Sequence, residues 1–129
     1  MASQSSRPKT EIIDTMRGAY ATKDRESFLS FFTDDVFYRP GAVAEVRGPS
    51  ALLDFLNKIY ANIIVDKMKA RATWELADVV IYDYDIQITD TRDNHTVEFP
   101  CVDIFQFRGD RISEWRVYPL HPSFIAIKA

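Results

Sequence analysis

Hydrophobic residues recur at helical spacing through the first half of the chain. Three helices are predicted, with stripes at Ile12, Ile13, Met16, Ala19 and Tyr20, then Phe28, Leu29, Phe31 and Phe32, then Leu52, Phe55, Leu56, Ile59 and Ile63. Thr10 and Asp24 are the expected N-caps of the first two helices, and Gly48-Pro49-Ser50 opens the third. Between the second and third helices, residues 36–39 predict a short strand, and residues 41–47 predict a loop.

The second half alternates between hydrophobic and polar residues with the period of two that is typical of β-strands. Strands are predicted over residues 67–74, 79–89, 96–107 and 111–118, with polar turns between them. In the first of these strands, Met68, Ala70, Ala72 and Trp74 share one face. Helices followed by consecutive hairpin-linked strands predict an α+β fold, in which the three helices cover one face of a curved antiparallel sheet.

Size and charge limit the possible partners. The 129 residues are enough for one domain, predicted over residues 10–129 after a disordered lead-in of residues 1–9. A net charge of −3 and a pI of about 5.3 argue against nucleic acid and anionic membranes as partners. The single cysteine, Cys101, cannot form an internal disulfide, and this favours a cytoplasmic protein.

One acidic residue interrupts a hydrophobic strand face. The odd positions of the strand predicted over residues 96–107 share that face, and they are Val97, Phe99, Cys101, Asp103, Phe105 and Phe107. An inward Asp103 must be paired, hydrogen-bonded or protonated, and burial would raise its pKa toward the range of a general acid or base. The alternatives are a bulge that turns Asp103 outward, or a purely structural ion pair with an inward arginine.

The order of these elements resembles a known superfamily. The segments FFTDDVFYRPG, VRGPSALLDFL and VDIFQFRGDRISEWRVY carry a resemblance to the nuclear transport factor 2-like superfamily, in its SnoaL-like polyketide cyclase branch, over about residues 10–120. The resemblance implies a cone-shaped α+β barrel with an apolar pocket inside. Many members are cofactor-free enzymes, such as ketosteroid isomerases, limonene-type epoxide hydrolases, polyketide cyclases and dehydratases, whereas others only bind ligands or dimerise.

The resemblance extends to individual positions only in part. The run from Asp103 to Gly109 (DIFQFRG) matches the isomerase pattern D-H-F-R-F-N-G, so Asp103 takes the place of the aspartate that donates a hydrogen bond to the developing oxyanion. The isomerase base would fall at Arg39, and the oxyanion tyrosine would fall near Met16, one turn before Tyr20. The hydrolase aspartate within W-R-D-Y is replaced by Val117. Direct copies of both chemistries are therefore not expected.

Other polar residues are candidate partners of Asp103. Arg39 is expected either to pair with Asp103 in the cavity or to hold an acidic group of the substrate at the pocket mouth. Tyr82 and Tyr84 either offer a phenol to a substrate oxygen or simply fill the core. His121 either donates a proton at the pocket rim or faces solvent in the tail. The predicted pocket lining consists of Met16, Tyr20, Phe37, Phe55, Trp74, Phe99, Cys101, Phe105, Trp115 and Val117.

These features favour a cofactor-independent acid/base enzyme that acts on an apolar, oxygenated small molecule by cyclisation, isomerisation, dehydration or epoxide opening. No metal site is expected, because the two histidines lack carboxylates at ligand spacing. The alternative is a non-catalytic ligand-binding or dimerisation module with Asp103 tied to Arg39. Because Val102, Ile104, Ile112 and Tyr118 make the outer sheet face partly apolar, a homodimer through that face is also expected.

Overall fold

The computed structural model describes residues 8–41 and 44–119. The helices are α1 (Lys9–Ala21), α2 (Arg25–Ser30) and α3 (Pro49–Ile59), and a 3₁₀ turn (Tyr60–Asn62) follows α3. The strands are β1 (Phe32–Pro40), β2 (Val46–Arg47), β3 (Ile63–Glu75), β4 (Val79–Asp90), β5 (His95–Arg108) and β6 (Arg111–Pro119). This arrangement confirms the predicted α+β class. None of the helices in the described ranges has the length and hydrophobicity that a membrane span requires.

The helix starts agree with the sequence in two cases out of three. Asp24 caps α2, because its carboxylate accepts the Ser27 backbone N–H at 3.2 Å. Gly48 precedes Pro49 at the start of α3 and has a φ of +91°, a conformation that favours glycine. The first helix begins one residue before the predicted cap, Thr10, and its N-cap is Pro8 without a side-chain hydrogen bond. Residues 1–7 of the predicted lead-in lie outside the described part of the chain.

The six strands form one open sheet in the order β2-β1-β6-β5-β4-β3. All neighbours are antiparallel except β1 and β6, which run parallel. The sheet is therefore mixed rather than wholly antiparallel. Because β3 to β6 are consecutive strands joined by hairpin turns, they pair antiparallel. The segment from β2 to β5 separates β1 from β6 along the chain, so no hairpin turn constrains that pair.

The first strand is longer than expected, and this changes its register. Val36 and Tyr38 are buried, so alternation places Phe37 and Arg39 on the opposite face. There the Phe37 ring packs against the Arg47 guanidinium, with 4.4 Å between the carbon of that group and the ring centroid. The expectation that Phe37 and Arg39 face the interior is wrong.

The edge strand β3 also departs from its predicted alternation. It pairs only with β4, and bulges at 65/67 and 70/72 shift the side chains relative to the sheet faces. Trp74 is consequently 49% exposed, instead of lining the interior. The predicted helical residue Ile63 begins this strand. The β5–β6 pairing also shifts: Gln106 is opposite Glu114, whereas Phe107 is opposite Ile112. The extra residue is in β6, and Ile112 is consequently in the core rather than on the outer face.

The core lies between the inner sheet face and the helices. From α1 it receives Ile12, Ile13 and Met16, and from α3 it receives Leu52 and Leu56. The Trp115 ring stacks on Phe105 at 5.0 Å between ring centroids, and it lies parallel to Phe32 at 6.4 Å. Burial of each such aromatic side chain contributes roughly 1.5–3 kcal/mol to folding. Asp103 lies within this aromatic region.

Candidate active site

The central strand β5 places Asp103 in the interior. Asp103 is opposite Tyr82 of β4 and Val117 of β6, and only 2% of its surface is exposed. Its neighbours on the same strand face, Phe99, Cys101, Phe105 and Phe107, are also buried. The predicted inward orientation of Asp103 is thus confirmed. The register between β4 and β5 is continuous, so no bulge in that pairing turns the carboxylate outward.

Four side chains donate hydrogen bonds to the Asp103 carboxylate. The Tyr84 hydroxyl donates to Oδ1 at 2.8 Å, and the Cys101 thiol donates to the same oxygen at 3.7 Å. The Trp115 Nε1–H and an Arg17 terminal N–H donate to Oδ2 at 3.2 and 3.4 Å. Because arginine and tryptophan nitrogens can only donate, Oδ2 is an acceptor in either protonation state, and any proton must reside on Oδ1.

Opposing effects set the acidity of this carboxyl group. Burial raises the pKa of Asp103, because it penalises the charged form. The positive charge of Arg17 and the hydrogen bonds from Tyr84, Trp115 and Cys101 act in the other direction, but burial is the larger effect. The pKa of Asp103 is therefore raised above that of an ordinary aspartate, in the direction of a base that works near neutrality.

The neighbouring acids remain protonated at neutral pH. Burial is the main cause that raises the pKa of the Cys101 thiol to about 12, with the negative charge of Asp103 adding to it. Burial and the charge of Asp103 also raise the pKa of the Tyr84 hydroxyl. Cys101 is accordingly a poor nucleophile, and Tyr84 remains a hydrogen-bond donor.

Helix α1 supplies the only cation that contacts Asp103 within residues 8–41 and 44–119. The Arg17 side chain is 28% exposed, and its guanidinium lies over three rings, with centroid distances of 5.0 Å to Tyr82, 5.8 Å to Phe105 and 6.0 Å to Tyr84. Such cation–π contacts hold the planar group in place while it pairs with the carboxylate.

A cavity of about 380 Å³ adjoins the carboxylate. It lies between α1, the turn after α3 and the inner face of the sheet. Its lining is mostly apolar and aromatic, and consists of Met16, Arg17, Tyr20, Ala21, Phe28, Tyr38, Leu56, Tyr60, Ile63, Val65, Met68, Tyr84, Ile86, Asp103, Trp115 and Val117. A cavity of this size and composition, with a few convergent polar groups, is typical of small-molecule sites.

A larger cleft of about 600 Å³ lies between the helices, on the far side of Tyr20 and Tyr60. The Tyr20 hydroxyl donates to Asn57 Oδ1 at 3.3 Å across its wall. The charged residues that line this cleft, Lys23, Asp24 and Arg25, are all exposed. Since every charged residue of the cleft is exposed, the smaller cavity, whose wall includes the buried Asp103, is the better candidate site.

The sequence-predicted residues are only partly brought together. Met16, Tyr20, Tyr84, Asp103, Trp115 and Val117 line the cavity. Phe99, Cys101 and Phe105 lie buried behind its wall, and Tyr82 is buried beneath Arg17. Phe55 packs edge-on against Tyr38, with 5.9 Å between the ring centroids.

Two expected site residues lie on the outer face of the sheet, and a third lies outside the described residues. Arg39 lies 4.0 Å from Glu45 with about half of its side chain exposed, because alternation along β1 turns it outward. Phe37 is on the same outer face. His121 lies outside the described residues.

The sequence interpretation missed Arg17, Tyr38 and Tyr60. Arg17 comes four residues after Ile13 and three before Tyr20, so it shares the stripe that α1 turns toward the core. That spacing was a usable signal. An ion pair with an inward arginine, one of the alternatives for Asp103, therefore exists, but with Arg17 instead of Arg39. Within the described ranges, no group of three or more potential ligands is arranged to hold a metal ion.

Comparison with known proteins identifies the family of the chain. The family model of the SnoaL-like domain matches residues 13–115. The chain belongs to the SnoaL-like family. No functionally curated protein matches the sequence.

Solved structures share the fold at low sequence identity. A nuclear transport factor 2-like protein from Burkholderia xenovorans is 16% identical with a TM-score of 0.79, over 92% of this chain and 93% of that one. A Catenulispora acidiphila protein with a ketosteroid isomerase-like fold is 18% identical with a TM-score of 0.74, over 90% of each chain. An LEH-like epoxide hydrolase from M. tuberculosis is 16% identical with a TM-score of 0.70, over 86% of this chain and 81% of that one. These likenesses establish the cone-like α+β fold of the SnoaL-like chain.

Proposed function

We propose that this SnoaL-like protein is an acid/base enzyme that needs no cofactor and acts on an apolar, oxygenated small molecule, with Asp103 as the proton-transfer residue. One observation carries the proposal: a buried carboxylate forms part of the wall of an apolar cavity of about 380 Å³. A carboxylate in such surroundings binds a proton more readily than one in water, and it lies within reach of a bound molecule.

The hydrogen bonds around Asp103 support a division of roles. Trp115 and Arg17 hold Oδ2 as an acceptor, so the carboxylate orientation is fixed from one side. Oδ1 faces the Tyr84 hydroxyl, which donates to the carboxylate and accepts from the carboxylic acid. Proton uptake at Oδ1 therefore leaves every contact in place. In this proposal Asp103 takes a proton from the substrate and returns it at another atom or to a leaving oxygen.

The competing function is ligand binding without chemistry. It is favoured by the number of donors around Asp103, because four donors come close to satisfying an ionised carboxylate. In that case the Asp103–Arg17 pair would serve only to organise the interior. The two functions differ in whether a bound carbon acid loses a proton.

A probe of buried bases separates the two functions. In 5-nitrobenzisoxazole, removal of the C3 proton breaks the N–O bond and releases a coloured cyanophenolate. The wild-type protein should accelerate this reaction, and Asp103→Asn should lose roughly 100-fold or more of the rate, which is a typical contribution of a general base. Asp90→Asn, the same substitution at a partly exposed position outside the cavity, is the matched control. Binding of the probe without acceleration, or an unchanged rate in folded Asp103→Asn, would support the binding module instead.

The pH dependence gives a second, independent readout. The rate should rise as Asp103 loses its proton and then level off. Since burial raises the pKa of Asp103, the inflection should lie above the value of about 4 for an ordinary aspartate. A profile that is flat from pH 4 to 9 would contradict the role of Asp103.

The proposal also includes a homodimer through the outer sheet face. Val102 and Ile104 are half-buried on that face, and Tyr118 is 39% exposed. A sheet that is partly apolar on its outer face is commonly covered by a second layer. The mass in solution at two protein concentrations tests this, and a monomer at both would contradict it.

A further inference from the structure

The cavity wall contains one cation and one anion. Among the lining residues that the structure describes, only Arg17 and Asp103 are charged. They form a pair through a single terminal nitrogen of Arg17, at 3.4 Å from Oδ2. This distance is long for a charge-assisted hydrogen bond. The arrangement is not the two-point contact that a guanidinium frequently makes with a carboxylate.

Most of the donor capacity of Arg17 is unused. A guanidinium has five N–H donors. Its hydrogen bond to Asp103 is the only one that it makes to a residue within 8–41 and 44–119. The Tyr82 and Phe105 rings contact the guanidinium but accept no conventional hydrogen bond. Arg17 therefore holds spare donors at the wall of the cavity.

Proton transfer to Asp103 would leave this cation without its counter-ion. Consider a substrate with a C–H bond next to a carbonyl group. When Asp103 takes the proton, the C–H bond breaks, an O–H bond forms on the carboxylate, and the electron pair moves onto the carbonyl oxygen as an enolate. The negative charge has then moved from Asp103 to the substrate. An unpaired, partly buried cation is costly, so the reaction is favoured if that oxygen lies against Arg17.

We propose that Arg17 binds the substrate oxygen that becomes negative, and that the substrate is an apolar, enolisable carbonyl compound. The inference rests on the proposed base role of Asp103. Arg17 then keeps one negative partner throughout: the carboxylate before proton transfer and the enolate oxygen after it. A stable organic anion with an apolar body mimics the second state, and the cavity should bind it in preference to a neutral molecule of the same shape.

Binding of such an anion requires a proton on Asp103. Two negative charges beside one guanidinium repel each other, so Asp103 should take up a proton as the anion enters. The titratable or charged groups around Asp103 come from α1, β1, the turn after α3, β4 and β5, and they are Arg17, Tyr38, Tyr60, Tyr84 and Cys101. The strand β6 contributes the Trp115 N–H, which does not titrate. The phenols and the thiol in this set have pKa values raised by burial. Asp103 is therefore the group that changes its protonation.

The pair 2-naphthoate and 2-naphthamide tests the inference by calorimetry. The two probes have nearly the same shape, and only the first is an anion. Wild-type protein should bind 2-naphthoate roughly tenfold or more tightly than the amide, as expected for a hydrogen bond between ions. Arg17→Met should abolish this preference, and Arg17→Lys should retain part of it. Arg92→Met, which removes an exposed arginine in the turn after β4, should leave the preference unchanged.

Binding of 2-naphthoate by the wild-type protein that is equal to or weaker than its binding of 2-naphthamide would overturn the proposal. This outcome does not depend on the folding of any variant.

Titration in two buffers of different ionisation enthalpy should show uptake of close to one proton per naphthoate above the pKa of Asp103. Asp103→Asn should bind the anion without that uptake. An unchanged uptake in Asp103→Asn would assign the proton elsewhere and contradict the charge exchange.

The test also separates this inference from the proposed function. If Asp103→Asn keeps the benzisoxazole rate while Arg17→Met loses the naphthoate preference, Arg17 is an anion site in a binding protein. If the base activity depends on Asp103 but naphthoate has no advantage, the enzyme remains and the role of Arg17 is refuted.

Discussion

Two aspartate–arginine pairs in this molecule have opposite physical consequences. At the end of β4, Asp90 accepts three hydrogen bonds from Arg92 of the following turn, the shortest at 2.7 Å. In the cavity, Asp103 accepts one hydrogen bond from Arg17 at 3.4 Å. The hydrogen bonds from Arg92 lower the pKa of Asp90 to about 2. Burial raises the pKa of Asp103 in spite of its arginine.

The difference indicates that the N···O distance of an ion pair does not by itself determine how much the pair contributes to stability. The Arg92 side chain is 69% exposed, so water and salt screen its charge and compete for both partners. The Asp103 side chain is 3% exposed, and among the described residues only its four donors replace the water that it lost on folding. Loss of one partner should therefore cost far more at the cavity than at the turn.

The largest expected effect is that of Arg17→Met on stability. Removing one partner of a fully buried pair costs about 3–5 kcal/mol, and the partial exposure of Arg17 reduces this to about 2–3 kcal/mol at pH 8. Urea denaturation at pH 5 and pH 8 measures it. Because Arg17 lowers the pKa of Asp103, the variant has a higher pKa there, so the loss of stability should be smaller at pH 5.

Arg92→Met is the matched control, since it removes the same side chain from the closer pair. Its urea midpoint should remain near that of the wild-type protein at both pH values. If the two variants lose equal stability, burial does not decide the strength of these pairs, and the comparison fails.

A smaller effect is expected from Tyr84→Phe, which deletes the hydroxyl that donates to Asp103 Oδ1 at 2.8 Å. Loss of a hydrogen bond to a charged group costs about 1.5–3 kcal/mol, and the lower half of that range applies here because three other donors remain. Since this hydrogen bond also lowers the pKa of Asp103, the inflection of the benzisoxazole rate should move to higher pH.

Tyr82→Phe sharpens this second prediction. Tyr82 lies two residues earlier on the same face of β4, and its hydroxyl makes no hydrogen bond to any residue in the described ranges, while its ring packs under Arg17. The ring stays in the variant, so both the stability and the rate inflection should be nearly unchanged. A shift as large as that of Tyr84→Phe would mean that the hydroxyl contact to Oδ1 is not the cause.

The sequence predicts the buried aspartate well and its arginine badly, for physical reasons. Burial alternates without interruption along β5 from Phe99 to Phe107, so the inward orientation of Asp103 followed from β5 alone. Arg39 was assigned inward from a strand predicted over only residues 36–39. The strand begins at Phe32, and its register places Val36 and Tyr38 inside instead.

Long-range contacts account for the other missed features. Arg17 and Asp103 are 86 positions apart in the chain. The hydrophobic stripe of a helix does not show which strand the helix packs against. The exposure of Trp74 depends on two bulges in β3 and on the lack of a second neighbouring strand. Neither feature is encoded in the local alternation of hydrophobic and polar residues.

The smallest effect on stability is expected from Asp90→Asn. The direction in which stability changes with pH is opposite for Asp90 and Asp103. The pKa of Asp90 is lowered to about 2, so its contribution is present above the unfolded value of about 3.9 and is lost as pH falls through about 2. Asp103 has a raised pKa, so its ionisation lowers stability as pH rises above about 3.9. Urea midpoints measured from pH 2 to 8 should show that Asp90→Asn loses slightly less stability than the wild-type protein as the pH falls below about 3.9. Asp103→Asn should instead lack the decrease in stability that the wild-type protein shows as the pH rises above about 3.9. Because Asp90 and Arg92 are two residues apart, the unfolded chain keeps part of their contact, which is why the first change is so small. If Asp90→Asn changes the pH dependence more than Asp103→Asn, the surface pair is the stronger one.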